Sequence, residues 1–159
     1  MVNYEKDYMW GEDQQKKIYP ILKSRWLNLK EQERYSKYDF ISETVNMEVK
    51  SRKNAYNKYP TTLLTCNKVN DLTKTNIFVF NFVYDMENDL SEIYYIEYDE
   101  TKFSKYQTQK YSRAKQTWDE KDYYFIPIED LIFLYKQTPI IQEGIALDRQ
   151  RRATYMSVY

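Results

Sequence analysis

The sequence predicts an α/β fold in which one mixed β-sheet is flanked by helices. Three observations carry that expectation. Residues 11–30 repeat apolar side chains at helical spacing. Residues 38–51 alternate polar and apolar positions about a short polar break. The runs 76–85 and 92–99 are dense in aromatic and β-branched residues. The chain has 159 residues, which suits a single domain spanning 1–159 with a sizeable core.

In chain order, the first element is "GEDQQKKIYPILKSRWLNLK", read as a helix that begins after Gly11. Ile18, Ile21, Leu22 and Trp26 approximate one apolar face, and Pro20 should kink the helix or start a second segment. "KYDFI" is a strand over 38–41, "SET" a polar turn, and "VNMEVKS" a strand over 45–51, together a hairpin. "YPTTLLTCNKVNDLTK" reads as a helix, with Pro60 in its first turn and Leu63, Leu64, Val69 and Leu72 as an apolar stripe. "NIFVFNFVYD" and "EIYYIEYD" are strands joined by the turn "MENDLS". "DYYFIPI" is a further strand and "EDLIFLYKQ" a short helix. The basic tail "DRQRRATYMSVY" is peripheral. The order is therefore α, β, β, α, β, β, β, α.

Composition narrows the chemistry. There is no histidine, which excludes a Ser-His-Asp triad, a Cys-His pair and imidazole-bound zinc. A single cysteine, Cys66, excludes an intramolecular disulfide framework and a thiolate zinc cluster; it is expected as a small buried residue. Catalysis would have to come from carboxylates, lysine, arginine, tyrosine or hydroxyls, and carboxylates favour hard cations such as magnesium. Lys plus Arg and Asp plus Glu both number 24, so any nucleic-acid-binding surface must be local. No apolar run is long enough for a transmembrane helix, and the charged start "MVNYEKDYMW" has no signal-peptide core. No membrane partner and an intracellular location are expected. Eighteen tyrosines with two glycines match an AT-rich genome, as a virus or phage can carry.

The hairpin holds the chemistry. Side chains alternate faces along a strand, so Val45, Met47 and Val49 share one face and Asn46, Glu48 and Lys50 the other. The three-residue turn lets Asp39 lie across from Glu48 and Lys50. Two carboxylates beside an ammonium form a site for a divalent metal and a phosphate. The competing reading is a surface hairpin whose polar residues face water.

"YDF…MEVKS", preceded by a helix beginning "GE", resembles the PD-(D/E)XK nucleases, a superfamily of restriction-endonuclease-like and Holliday-junction-resolvase-like enzymes. Tyr38 stands where the family name has proline. The resemblance covers roughly residues 11–99, with 100–159 as a C-terminal extension. It implies a restriction-endonuclease-like core of αβββαβ type and a Mg2+- or Mn2+-dependent endonuclease acting on DNA, with RNA not excluded. It implies Asp39 as the central metal ligand, Glu48 as the second carboxylate, and the Val49 backbone carbonyl completing the set. Lys50 would serve the attacking water or the transition state, and Glu12 would be the helix acid assisting the metal. Asp13, Glu31 and Glu33 rival Glu12, which also suits a helix N-terminus. Lys68 would be the basic residue that similar nucleases turn toward the site, against the reading of a solvated helix lysine.

Arg52, Lys53 and Lys58, interleaved with Tyr56 and Tyr59, are candidates to track a phosphate backbone. Lys105, Lys110, Arg113 and Lys115, with Tyr106 and Tyr111, form a second basic stretch and Arg149, Arg151 and Arg152 a third. A homodimer through the aromatic strands at 77–98 is a further possibility. The alternatives to a nuclease are a non-catalytic nucleic-acid-binding or assembly protein of the same fold, and a structural viral factor assembling through its tyrosines.

Overall fold

A computed structural model describes residues 3–112 and 120–137. The first helix, α1, runs Tyr4–Arg25 and so begins well before Gly11. The Asn3 side chain accepts a hydrogen bond from the Lys6 amide at 3.1 Å, and Glu5 and Asp7 add negative charge to the first turn. Glu12 is therefore a mid-helix residue, not an N-terminal acid. Ile18 and Leu22 are fully buried and Trp26 caps the C-terminal end.

Pro20 neither ends the helix nor begins a new one; it lies on the exposed side of α1. It still lacks the N–H that would bond the carbonyl four residues back. Pro20→Ala should stabilise the chain by about 1–2 kcal/mol. That is the helix-interior penalty of proline, ~3 kcal/mol, offset by ~1 kcal/mol of freedom restored to the unfolded chain. A higher urea midpoint would bear this out, whereas a lower one would mean the local helix bend is needed for packing.

The strands are β1 (Lys30–Glu31), β2 (Phe40–Ile41), β3 (Val45–Arg52), β4 (Thr61–Thr65), β5 (Thr75–Asp85), β6 (Leu90–Glu97), β7 (Gln107–Tyr111), β8 (Lys121–Pro127) and β9 (Ile132–Lys136). A one-turn helix, α2, spans Glu100–Phe103. Six strands form a mixed sheet in the order β1-β2-β3-β5-β6-β9, in which only β3 and β5 are parallel. A smaller antiparallel sheet has the order β4-β8-β7. The α/β class and the β2–β3 hairpin stand as expected; the second sheet was not expected.

Two expected helices are strands. Residues 59–74 hold β4 and a single 3-10 turn at Cys66–Lys68. In "TTLLT" the buried positions are Thr62 and Leu64, a two-residue period, and Leu72 of the supposed stripe is 58 % exposed. Four β-apt or alternating positions outweigh the leucine spacing. Residues 129–137 form a short 3-10 turn and β9, whose isoleucine, phenylalanine and tyrosine suit an edge strand pairing with β6. The helix that an αβββαβ core places between β3 and its parallel neighbour is thus replaced by β4 and one turn.

Each face of the large sheet is covered. One face packs Phe40, Met47, Val49, Ile77 and Val79 against Ile18 and Leu22 of α1. The other packs Phe78, Phe80 and Phe82 against Leu64 of β4, Phe103 of α2 and Ile126 of β8. Almost all of β5 is buried inside the chain, and Phe78, Phe80 and Phe82 serve the core. Among the described residues, no helix is long and apolar enough to cross a membrane.

Candidate active site

Strand β3 lies between β2 and β5, and its residues alternate as the sequence implies. Met47 and Val49 face α1. Glu48 and Lys50 take the opposite face, in register with Phe78 and Phe80 of β5. The crossover through β4 folds over that face. As a result Glu48 is only 5 % exposed, and the expected alternative of a polar, water-facing hairpin does not describe it.

A buried carboxylate needs partners. Glu48 Oε1 has two: Lys50 Nζ and Lys68 Nζ, each at 3.0 Å. Lys68 sits on the 3-10 turn after β4 and not on a helix, yet it does point at the site. Both ammonium groups remain about a third exposed on their outer side.

Asp39 sits just before β2. Its amide donates to the Met47 carbonyl at 3.0 Å, although Phe40 is the register partner of Met47. Two consecutive residues thus face one, the two-against-one count of a β-bulge, which re-aims a side chain. The Asp39 Oδ2 accepts from the Val49 amide at 2.7 Å. Within a strand a residue's N–H and C=O project to the same edge, so the Val49 carbonyl also projects toward Asp39. The Asp39 carboxyl thus lies beside the Val49 backbone and within electrostatic reach of Glu48, Lys50 and Lys68.

Burial, and next the Glu48 charge, push the Asp39 carboxyl up to about 6, against the lowering pull of the Val49 amide, Lys50 and Lys68. Between about pH 4 and pH 6 the folded chain therefore keeps a proton on Asp39 that the unfolded chain releases. In metal-free buffer this group makes stability fall as pH rises through that window, and contributes no further slope above it. Asp71 and Asp85, partly buried and held below the usual range by their hydrogen bonds, act in the opposite direction at lower pH. Comparison with Asp39→Asn isolates the effect: the variant should gain on wild type as pH rises from about 4 to 6. Parallel urea midpoints across that range would remove it.

Glu12 accepts from the Tyr8 hydroxyl at 2.9 Å and pairs with Lys16 at 3.4 Å, rather than joining Asp39 and Glu48. Burial first, then Glu12, and last the Asp39 charge raise the Tyr8 hydroxyl, which places Tyr8 within electrostatic reach of both acids. The Arg34 guanidinium covers the Tyr8 ring at 3.9 Å and pairs with Glu5 at 3.2 Å. Nothing in the sequence marks Tyr8 or Arg34, because only the seating of α1 brings them here.

The other candidates scatter. Arg52 donates to the Leu63 carbonyl at 2.5 Å and lies over Phe80. Lys53 approaches Asp7 at 3.8 Å and covers Trp10 on the α1 side. Lys58 is exposed above Tyr59. Lys110 pairs with Asp122 at 3.4 Å and Lys105 is exposed. Arg113, Lys115, Arg149, Arg151 and Arg152 lie outside the described residues. Cys66 is half-buried rather than buried, and burial raises its thiol.

A cation could be held by few protein atoms here. Among the described residues, no three of the Asp, Glu, Cys or His side chains cluster as a metal cage. Asp39 and Glu48 lie within reach of each other's charge, and Asp39 Oδ1 and Glu48 Oε2 accept no hydrogen bond among the described residues, while Oδ2 and Oε1 are engaged. Two carboxylates, a carbonyl and retained waters suit magnesium, which seldom demands an all-protein shell. No family model, no curated protein and no solved structure matches the chain.

Proposed function

We propose that the chain is a divalent-metal-dependent nuclease hydrolysing phosphodiester bonds in DNA, on a restriction-endonuclease-like core whose crossover helix has been replaced by a strand. The observation that carries this reading is that Asp39 and buried Glu48 lie within reach of each other's charge, with Lys50 paired to Glu48 at 3.0 Å. Two carboxylates held together in a poorly solvated place raise each other's cost of ionisation, and a cation between them relieves it.

Asp39 and Glu48 would hold Mg2+ or Mn2+ through Oδ1 and Oε2, with the Val49 carbonyl beside them. When bound, the ion polarises a phosphoryl oxygen and lowers the pKa of water. Lys50 sits 3.0 Å from Glu48 and remains partly open to solvent, where it can orient a water or stabilise charge growing on phosphorus. Lys68, placed alike, offers a second ammonium to the same phosphate. Bound anion would draw both lysines off Glu48, leaving Oε1 to the cation. Glu12 plays no direct part in this reading; through Tyr8 it acts at one remove.

The test is cleavage of plasmid and oligonucleotide DNA with magnesium or manganese, wild type against Lys50→Ala. Loss of about a hundred-fold or more in the variant is expected. Equal rates in both, or no metal-dependent product from wild type, would remove the assignment.

A second reading is a non-catalytic nucleic-acid-binding protein of the same fold. It is favoured by one observation: Lys50 and Lys68 already neutralise Glu48, so the group can serve as a brace. Calorimetric titration with magnesium separates the two, since a nuclease site binds the ion and Glu48→Gln weakens it.

A further inference from the structure

The chain carries equal numbers of acidic and basic residues, yet one hollow concentrates a single sign. A cavity of about 460 Å3 opens between the end of β3, the crossover strand β4, and β7 with β8 of the small sheet. Lys50, Arg52, Lys68 and Lys121 line it, and none of the described residues lining it is acidic. The lining itself supplies four cations and no acid, and although Glu48 lies behind Lys50 and Lys68, the cations outnumber it, a local excess that a zero net charge conceals. Tyr56, Tyr59, Tyr111 and Tyr123 line the same space, with Thr and Asn side chains between them.

The two ends of the hollow differ. At one end Lys50 and Lys68 turn their exposed sides inward, and their other sides hold Glu48. Toward the small sheet, Tyr111 and Tyr123 meet edge to face at 5.9 Å, and both Tyr59 and Tyr111 are more than half exposed. Tyr56 is held rigidly by stacking on Tyr94 at 4.0 Å and by donating to the Ile128 carbonyl at 2.8 Å. Cations at one end and accessible rings beyond them match phosphate first and base second.

We propose that this cavity is a binding site for an unpaired DNA strand, seating a splayed nucleotide with its phosphate at Lys50 and Lys68 and its base among the tyrosines. The cavity falls in the range of about 300–1,000 Å3 that small ligands occupy. It is a pocket between two sheets, and a duplex, whose bases are stacked and whose major groove alone is ~12 Å wide, cannot enter it. Rings that accept any base by its face, within a track of cations, are the means by which proteins bind single strands without reading sequence. The nature of the ligand rests on the reading of the neighbouring site as a nuclease; under it, the substrate is a single strand or a frayed end rather than intact duplex.

Fluorescence anisotropy tests this in EDTA, where no cleavage occurs, with a labelled oligothymidylate and a duplex of the same length. The single strand should bind at least about ten-fold more tightly. Tyr59→Ala should weaken it about ten-fold, within the range for loss of one stacked base. Lys121→Ala should lower the salt slope of binding by about 0.7, the value for one phosphate contact on a single strand. Lys136→Ala, on β9 and paired with Glu92 outside the cavity, should change nothing. Tighter binding of duplex, or Tyr59→Ala and Lys121→Ala both indistinguishable from wild type, would overturn the proposal. Strand binding of the expected pattern without metal-dependent cleavage leaves the cavity assignment standing and removes the nuclease; cleavage of intact duplex without single-strand preference does the reverse.

Discussion

Asp39→Asn should abolish metal-dependent strand cleavage, by about a thousand-fold or more, while leaving the chain folded. The substitution separates two jobs of one side chain. Asp39 Oδ2 accepts the Val49 amide at 2.7 Å, and an asparagine oxygen can accept the same bond. The hairpin should therefore hold, because no buried donor is left unpaired. The negative charge is lost, however, and with it half of the acidic pair that would hold a hard cation. Burial already makes that charge difficult to maintain, which is why its carboxyl is pushed up to about 6, and a bound cation would relieve that cost. Asp39→Ala should lose activity equally but also lose about 1–3 kcal/mol of stability, through the orphaned Val49 amide. The checks are single-turnover cleavage with magnesium and urea unfolding of both variants. Full activity in Asp39→Asn would sink the catalytic role.

The largest stability effect should come from Lys50→Ala combined with Lys68→Ala. Glu48 is almost fully buried, and its two ammonium partners each lie at 3.0 Å. Removing both leaves an unpaired carboxylate beside Phe78 and Phe80, at a cost of about 3–5 kcal/mol. Either single variant should cost markedly less, because the other lysine still pairs with the same oxygen. Adding Glu48→Gln to the double variant should recover much of the loss, since the uncompensated charge is then gone. Urea midpoints of the four chains measure this. If the double variant is no less stable than the sum of two small surface effects, Glu48 finds its compensation elsewhere and the lysines are not its brace.

The hairpin and its three chemical residues were legible because they obey a local rule. Alternation along "VNMEVKS" assigns Glu48 and Lys50 to one face whatever surrounds them, and a three-residue turn returns Asp39 to their side. The expectation failed where the same residues satisfy two periods. "TTLLTCNKVNDL" offers leucines near helical spacing and threonines that favour a strand, and the strand won because β8 was there to pair with it. "LIFLYK" was open in the same way until β6 supplied a partner. Lys68 was expected on a helix that does not form, and it reaches Glu48 from a 3-10 turn instead. Tyr111 was marked only as part of a separate basic stretch, and Lys121 and Tyr123 carried no mark at all. They lie more than forty residues beyond the site residues of the hairpin and join Lys50 only through the docking of the second sheet.

By itself the sequence determined the α/β class, the amphipathic first helix, the hairpin and the side of it on which the acids and the lysine stand, since these depend on periodicity within a dozen residues. Only the tertiary structure decided that Glu48 is buried between two lysines, that the crossover is a strand, and that four cations gather about a hollow in a chain of zero net charge. Those depend on which segments pair across long loops, and neither pairing partner nor burial is written in the local order of residues.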